Sequence, residues 1–309
     1  MIGERRTEDR GRMVASKFSD FSFLNSVLCS LSSEIPMSTY DLTTLAALKA
    51  WLGLPANASP NDATLSALIT AGSRAIYALL SRPGLLPRSY SETIDGESRR
   101  LFLRHWPVLQ IASVTLDGFA IPPATPASAQ PEVGYLLRSD DVAPPGRQQA
   151  LDIFGWHVWP RRQNLVVAYS AGYAVQGEAQ SVPAATPWTL TPLAPYGPWA
   201  LDMGVVYAAT GAALSAVASA PTTGQYRVTA GAYAFSAGDA GAAVSISYGY
   251  VPQDIAQAAL ELAAERFRAA ERIGLRSKSI GGQETIAYEI SAISAPVMSL
   301  LQPYRRVAD

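Results

Sequence analysis

The sequence is poor in the residues on which many catalytic and structural sites depend. One cysteine, Cys29, occurs among 309 residues, which excludes an internal disulfide and a cysteine-based zinc site. The two histidines, His105 and His157, leave almost no material for histidine-dependent catalysis or a histidine-rich metal site. Charged residues make up 16 % of the chain, below the usual quarter, and the net charge is −1.

Three further absences limit the partners that we expect. A net charge near zero gives no electrostatic footprint for tight nucleic-acid binding. No uninterrupted apolar run approaches the ~20 residues needed to cross a bilayer. The opening "MIGERRTEDRGRMVASK" mixes acids with bases and lacks the apolar stretch of a signal peptide. We therefore expect a protein made in a cytoplasm, with no membrane partner.

What the chain does contain favours two folded domains with many turns. Hydrophobic residues make up 49 % of the sequence, with 23 glycines and 22 prolines, and 309 residues suit two domains of ordinary size. Residues 1–36 are predicted to be a poorly structured leader, with mixed charge and then a serine-rich stretch. Met37 opens a better-behaved sequence, so the leader is either an upstream extension or an arm that folds on a partner.

Two antiparallel helices are predicted after the leader. In "DLTTLAALKAWLGL", Asp41 is a candidate N-cap and Gly53 stands where a helix ends. The second helix is predicted to start with Ser59 as its cap and Pro60 at its first position, and to end at Pro83-Gly84. The short connection between them makes the two helices antiparallel neighbours.

The hydrophobic period then changes to that of strands. "SYSETIDGESRRLFLRHWPVLQIASVTLDGFAI" alternates, with turn pairs at Asp95-Gly96 and Asp117-Gly118. "ALDIFGWHVWP" and "NLVVAYSAGY" are two more strands, while residues 122–147 are predicted to be a proline-rich loop. These strands predict a small antiparallel sheet.

Residues 176–250 predict an all-β module inserted into a host domain. The segment has almost no charge, and short strands recur every 8–12 residues between glycine, proline and aspartate turns, as in a sandwich or barrel. If the segment is removed, "LVVAYSAGY" runs straight into "VPQDIAQAAL", so that a strand feeds a helix. The host domain would comprise residues 37–175 and 251–309, and the fold class is α+β.

The helix after Pro252 is the best-defined element. Asp254 in its first turn and Arg272 near its end match the helix dipole. At 100° per residue, one broad apolar arc is formed by Ile255, Ala256, Ala259, Leu260, Leu262, Ala263, Phe267 and Ala270. "SKSIGGQETIAYEI" predicts a turn and a strand, and "SAPVMSLLQPYRRVAD" a short proline-started helix with a basic end.

No candidate for catalysis survives inspection of the motifs. The pair Asp140-Asp141 stands in a proline-rich loop beside no histidine or cysteine. "AYSAG" has Ala168 where a nucleophile elbow needs glycine, and "SIGGQ" is a weak phosphate-binding signal. Each histidine alternates with apolar residues, which is typical of a satisfied side chain on a sheet. We therefore expect a protein that is not an enzyme and holds no cofactor or metal.

Several segments in order resemble the head–tail connector (head-completion adaptor) proteins of tailed bacteriophages. They are "DLTTLAALKAWLGL", "SRPGLLPRSYSETIDG", "LFLRHWPVLQIASVTLDG", "VVAYSAGY", "VPQDIAQAALELAAERFRAAE" and "SIGGQETIAYEI…LLQPYRR". The resemblance covers residues 38–175 and 251–306. The leader and the β-module depart from it, although "GAYAFSAGDAGAAVSISYGY" is similar to the small Ig-like or barrel-like modules of phage structural proteins.

The resemblance implies a non-enzymatic virion protein at the head–tail (neck) junction. Its copies would form a ring, usually of twelve, beneath the portal protein, extend the DNA channel without sequence-specific binding, and dock a tail or head-completion protein. The long helix would make subunit contacts, and the C-terminal segment would engage the portal; residues 122–147 would face the lumen or the tail side. The implied subunit contacts are Leu260, Phe267, Arg268 and Arg272, and the implied portal contacts are Leu300, Leu301, Tyr304, Arg305 and Arg306.

A second hypothesis treats the β-module as the functional part. The chain would then be a surface- or carbohydrate-binding protein, because aromatic side chains commonly form such sites. The candidates in the module are Trp188, Trp199, Tyr207 and Tyr226.

Overall fold

The fold combines helices from both ends of the chain with the strands between them. The structure, a computed structural model, describes residues 40–57, 60–124, 133–138, 148–270, 277–280, 284–287 and 293–306. All of these belong to one unit, 35–309. The leader, Ser59, the Asp140-Asp141 pair and Arg272 lie outside the described residues.

The described residues form an α+β fold with four α-helices and several sheets. The helices are α1 (Leu45–Leu52), α2 (Asp62–Leu80), α3 (Gln253–Ala269) and α4 (Ala295–Leu301). The strands are β1 (Arg88–Gly96), β2 (Arg100–Phe102), β3 (Val108–Leu116), β4 (Phe119–Ile121), β5 (Gly134–Arg138), β6 (Ala150–Phe154), β7 (Arg161–Ala171), β8 (Ala174–Ser181), β9 (Thr189–Leu190), β10 (Trp199–Tyr207), β11 (Ser215–Ala216), β12 (Gln225–Thr229), β13 (Ala232–Phe235), β14 (Ala243–Tyr250), β15 (Ser277–Ile280) and β16 (Glu284–Ala287).

The helix ends differ from the predicted caps. Thr44, and not Asp41, is the N-cap of α1: its hydroxyl accepts a hydrogen bond from the Ala47 N–H. Helix α2 is preceded by Asn61, and it ends at Leu80, before the predicted Pro83-Gly84 stop. It ends there because Ser81 adopts a left-handed conformation, with φ of 53°, and its N–H turns back to the Ala78 carbonyl.

Helix α2 buries one face in the core. Over its 19 residues it is long and apolar enough, by length and composition, to cross a membrane, a feature that the search for uninterrupted apolar runs missed. Its apolar side chains Leu65, Ile69, Ile76 and Leu80 are fully buried. A Cβ on Gly72 would lie 3.8 Å from the Leu262 side chain, so α2 and α3 pack closely at that point. A single helix of this kind is weak evidence for a membrane span.

Two antiparallel sheets follow the helix pair, as the alternating sequence predicts. One has the order β1-β7-β3-β4, and the other β2-β6-β5. They enclose their own apolar cluster, which includes Leu103, Leu151, Leu165 and Val167. Strand β5 corrects the prediction that residues 122–147 form a loop, since residues 134–138 pair with β6 from Gly134↔Phe154 to Arg138↔Ala150.

The segment predicted to be inserted begins and ends side by side. Strands β8 and β14 pair antiparallel, with Ala174 opposite Gly249, and the Tyr250 N–H donates to the Tyr173 carbonyl. The segment contributes two sheets, β10-β14-β8 and β11-β12-β13-β9, where β11 and β12 run parallel. Its buried side chains share one cluster with α2 and α3, so the domain limits at residues 176 and 250 stay a prediction.

The end of the chain returns to the helices. Strands β15 and β16 pair as a hairpin, where a turn and one strand were predicted. Helix α4 begins after Ser294, with Pro296 in its first turn, and a 3₁₀ turn from Gln302 to Tyr304 follows it. Val297 and Leu301 are buried, which fixes α4 against α3.

Candidate interaction site

An open groove of about 990 Å³ lies between α1, the start of α3 and the loop before β10, and we call it the α1–α3 groove. Its lining is mostly small or apolar. The lining residues are Asp41, Leu42, Thr43, Thr44, Ala47, Ala50, Trp51, Leu86, Ala194, Gly197, Pro198, Trp199, Ala200, Ala230, Val251, Gln253, Ala256, Gln257 and Leu260.

Helix α1 forms one wall of the groove, because residues three or four positions apart lie on the same side of a helix. Thr44, Ala47, Ala50 and Trp51 are at helical spacing and all line the groove. Trp51 is 50 % exposed, an unusual state for so large an apolar side chain. The opposite side of α1 buries Leu48 in the core.

Residues 194–200 form the facing wall, and backbone contacts hold them against the start of α3. The Val251 N–H donates to the Pro198 carbonyl at 3.0 Å, and the Gln253 N–H donates to the Tyr196 carbonyl at 3.0 Å. The second bond satisfies a first-turn N–H for which the N-cap, Pro252, offers no side chain. Gly197, with φ of 153°, permits this approach, since a Cβ there would lie 1.9 Å from the Val251 carbonyl oxygen.

A partly buried carboxylate, that of Glu178, is bonded to the chain just before this wall. Glu178 accepts hydrogen bonds from the Leu193 N–H at 2.8 Å and from the Tyr248 hydroxyl at 2.6 Å. Burial alone would raise the pKa of Glu178, but the hydrogen bonds to its carboxylate lower the pKa below its usual value. The wall is therefore preformed.

The charge of the groove is small and negative. Asp41 is the one charged residue among its described lining residues. The indole N–H of Trp199 is engaged within the fold, because it donates to the Tyr233 hydroxyl at 3.0 Å. An apolar, preformed groove of this size with an exposed tryptophan at its wall suits a protein segment that brings aromatic and basic side chains.

The structure separates the four residues predicted for subunit contact. Leu260 lines the groove and is 7 % exposed. Phe267 lies farther along α3 and packs against the buried cluster of Leu48 and Leu65. Arg268 is exposed, and Arg272 lies outside the described residues. These four contacts stay predictions.

Of the five residues predicted for portal contact, four hold the C-terminal segment to the rest of the fold and one has an exposed side chain. Leu301 is buried and Leu300 packs against the same core. The Tyr304 hydroxyl donates to Asp254 at 2.9 Å, and the Arg306 N–H donates to the Leu80 carbonyl at 3.0 Å. Arg305 is exposed. The predicted portal segment is thus held to α2 and α3, and Arg305 is the member whose side chain is free to reach a partner.

Sequence reasoning missed a buried arginine beside this segment. Arg82 is 5 % exposed, donates to the Tyr173 hydroxyl at 3.1 Å and to the Trp106 carbonyl, and lies 4.2 Å from the centre of the Trp106 ring. The planar guanidinium satisfies both hydrogen bonds while stacking on an aromatic ring, which lysine cannot do. An arginine directly after a helix carries no local signal for this role.

His105 has side-chain partners as predicted, but it lies in the bend between β2 and β3 and not on a strand of a sheet. Its ring stacks on Tyr90 with 3.8 Å between centres, and its Nε2 lies 3.7 Å from the buried Glu92 carboxylate. Glu92 is held by the Arg104 N–H and the Tyr169 hydroxyl. Burial lowers the pKa of His105, with the Glu92 carboxylate acting in the opposite direction. The cluster contributes packing between the two sheets.

The aromatic residues of the carbohydrate-binding hypothesis are used inside the fold. Tyr226 is 2 % exposed and donates to Asp202 at 2.6 Å, while Tyr207 donates to Asp239. Trp188 and Trp199 pack against the main core. Within the described part of the chain these four side chains form no exposed platform, and no group of His, Cys, Asp or Glu is placed to hold a metal.

Comparisons with known proteins add two remote likenesses. No family model matches the chain, and no curated protein matches it. A chain from the neck of an empty gene transfer agent particle, computed with C6 symmetry, is 14 % identical over 91 % of this chain and 97 % of that one, with a TM-score of 0.34.

A chain from the virion of a native gene transfer agent particle is also 14 % identical, over 89 % of this chain and 95 % of that one, with a TM-score of 0.39. Neither TM-score is high enough to establish a shared fold, so the proposals below rest on this chain's own residues.

Proposed function

We propose that this protein is a structural component of a tailed-phage-like virion, a head–tail adaptor whose copies form a ring beneath the portal. The ring extends the DNA channel and docks a tail or head-completion protein. The observation that carries this proposal is the α1–α3 groove, a preformed apolar surface with the half-exposed Trp51 in its wall. Such surfaces on soluble proteins mark protein–protein contacts.

Two other features support the same role. The ordered segments that resemble the connector family include α1, the end of α2 and α3, the elements that form or support the groove. The net charge of −1 suits a channel through which DNA passes without being held by its phosphates. In this proposal the protein catalyses no reaction and needs no cofactor.

The portal contact is assigned to the C-terminal segment through Arg305. The segment from Ala295 to Arg306 is fixed by Leu301, by the Tyr304–Asp254 hydrogen bond and by the Arg306–Leu80 backbone bond. A fixed segment that exposes a guanidinium loses little conformational entropy on binding a carboxylate of the partner. Arg305 therefore presents the recognisable charge, and the other residues position it.

The test mixes the full chain with the portal protein of the same particle and examines the mixture by negative-stain microscopy. We expect a ring of extra density on the portal vertex. The Arg305→Glu variant should lower portal occupancy at least about 10-fold. Arg227→Glu, which changes an exposed arginine on β12, should leave occupancy unchanged. Absence of the chain from every portal particle, at micromolar concentration, would remove the proposal.

A further inference from the structure

The loops at the far end of the first sheet expose aromatic and basic side chains together. Phe119, at the start of β4, is 68 % exposed, and Trp159, just before β7, is 59 % exposed. Arg161 and Arg162 follow Trp159 after one residue, Pro160, and are exposed as well. We call these four residues the Trp159 edge. Tryptophan and arginine are the side chains most enriched at the energetic centres of protein interfaces.

Hydrogen bonds fix the backbone beside Trp159 and the neighbouring β3–β4 turn. The Asn164 side chain accepts from the Gly96 N–H at 2.8 Å and donates to the Trp159 carbonyl at 3.4 Å. The Asp117 N–H donates to the Asn164 carbonyl at 2.8 Å, which ties the β3–β4 turn to the same point. The His157 ring packs edge-on against Trp159, with 4.1 Å between ring centres. A backbone that is already ordered reduces the conformational entropy lost on binding.

The Trp159 edge and the α1–α3 groove lie at opposite ends of one strand. Strand β7 starts at Arg161, in the edge, and ends at Ala171, two residues before Tyr173. The Tyr173 N–H donates to the Leu85 carbonyl, and the neighbouring Leu86 lines the groove. Eleven residues of strand span about 35 Å, so the two surfaces cannot meet within one chain.

We propose that the Trp159 edge of one copy binds in the α1–α3 groove of the next copy. The groove is apolar with an acidic residue, Asp41, in its lining, and the edge brings an aromatic ring and two guanidinium groups. Trp159 packs beside Trp51, and Arg162 lies near Asp41, because Arg161 already pairs with Asp117, with 3.4 Å between its Nη1 and the Asp117 Oδ1. This inference rests on the proposed function, since it names the contact that joins the copies of the ring.

A contact of this kind is heterologous, because each copy uses two different surfaces. Such contacts generate a closed ring when the rotation between copies closes, and an open filament otherwise. In a heterologous contact, unlike a two-fold contact, the two surfaces can be damaged separately in different copies. A copy with a damaged edge and a copy with a damaged groove still share one intact interface, so the two together form a dimer that cannot grow.

The experiment mixes a copy that has a damaged edge with a copy that has a damaged groove. Trp159→Ser damages the edge, and Ala50→Arg places a cation in the groove on an exposed position of α1. Matched controls are Phe102→Ser, an exposed aromatic on β2 outside the edge, and Ala46→Arg, an exposed α1 position outside the groove lining. Light scattering on a sizing column measures the mass, and circular dichroism melts check that each variant folds.

We expect the wild type and both controls to form rings. Each damaged variant alone should remain at the 32.8 kDa of one chain, with self-association weakened at least about 30-fold. An equimolar mixture of the two should give a species of twice that mass.

Rings formed by Trp159→Ser or Ala50→Arg would overturn the edge-in-groove contact while leaving the adaptor role in place. Two monomers that fail to pair on mixing would overturn it equally, as would a wild type that stays monomeric at about 100 µM. The adaptor role is judged separately by portal binding, so the two failures are distinguishable.

Discussion

Gly197→Ala tests the close approach of residues 194–198 to the start of α3. The added Cβ would lie 1.9 Å from the Val251 carbonyl oxygen and 2.9 Å from the Gln253 nitrogen. The φ of 153° at Gly197 is, in addition, a conformation that side-chain-bearing residues rarely adopt. The loop of residues 194–198 must therefore move away from the start of α3, and the groove wall moves with it.

The expected cost follows from the contacts that this movement breaks. The bonds from Val251 to Pro198 and from Gln253 to Tyr196, each of 3.0 Å, contribute about 1 kcal/mol each. The backbone conformation costs a further 1–3 kcal/mol, roughly, in a residue other than glycine. We expect the free energy of unfolding to fall by about 3–5 kcal/mol.

Urea unfolding, followed by circular dichroism and tryptophan fluorescence, measures this change. The matched control is Gly211→Ala, where φ is 69° and no atom lies within 4 Å of the added Cβ. That control carries the conformational cost alone, about 1–2 kcal/mol. If the two variants lose the same stability, the close approach of residue 197 to α3 is not what holds the groove wall, and the reasoning is refuted.

Three further predictions concern polar contacts. Arg82→Lys should lower the free energy of unfolding by about 2–3 kcal/mol, measured in urea, because an ammonium cannot make the paired contacts of the buried guanidinium. The hydrogen bond from Arg100 lowers the pKa of Asp152 below its ordinary 3.8, so its contribution is present above that pH and lost as pH falls through the lower, folded value. Asp152→Asn should thus cost about 1–2 kcal/mol at pH 7 and less as pH falls through the lowered pKa of Asp152, and a cost that does not change with pH would contradict this assignment. Tyr304→Phe removes the hydroxyl bonded to Asp254 and should cost about 0.5–1 kcal/mol while speeding amide exchange at Arg306, with an unchanged exchange rate as the opposing result.

The helices and strands that bury one face were predicted correctly from the local spacing of their apolar residues. Most of the predicted apolar arc of α3 is buried, since Ile255, Ala259 and Leu262 are within the core, whereas Ala270 at its end is exposed. The predicted strand "NLVVAYSAGY" is β7, because alternation buries one side of it. The short proline-started helix is α4.

The predictions that failed depended on partners far away in sequence. Strand β5 was predicted to be loop, because prolines and small residues surround it, but its pairing with β6 outweighs the weak local preference. The caps at Asp41 and Pro83-Gly84 were wrong by a few residues, since several polar residues near a helix end can each serve and packing selects one.

The sequence by itself determined which segments have the residue types and hydrophobic periods of helices and strands. It also indicated that residues 176–250 separate a strand from the helix that would otherwise follow it directly. These are short-range properties, because side chains three, four or two positions apart decide them. Tertiary structure alone decided the α1–α3 groove, the Trp159 edge and the burial of Arg82. Each of these is made from segments tens of residues apart, and their meeting depends on how the whole core packs, which no local period records.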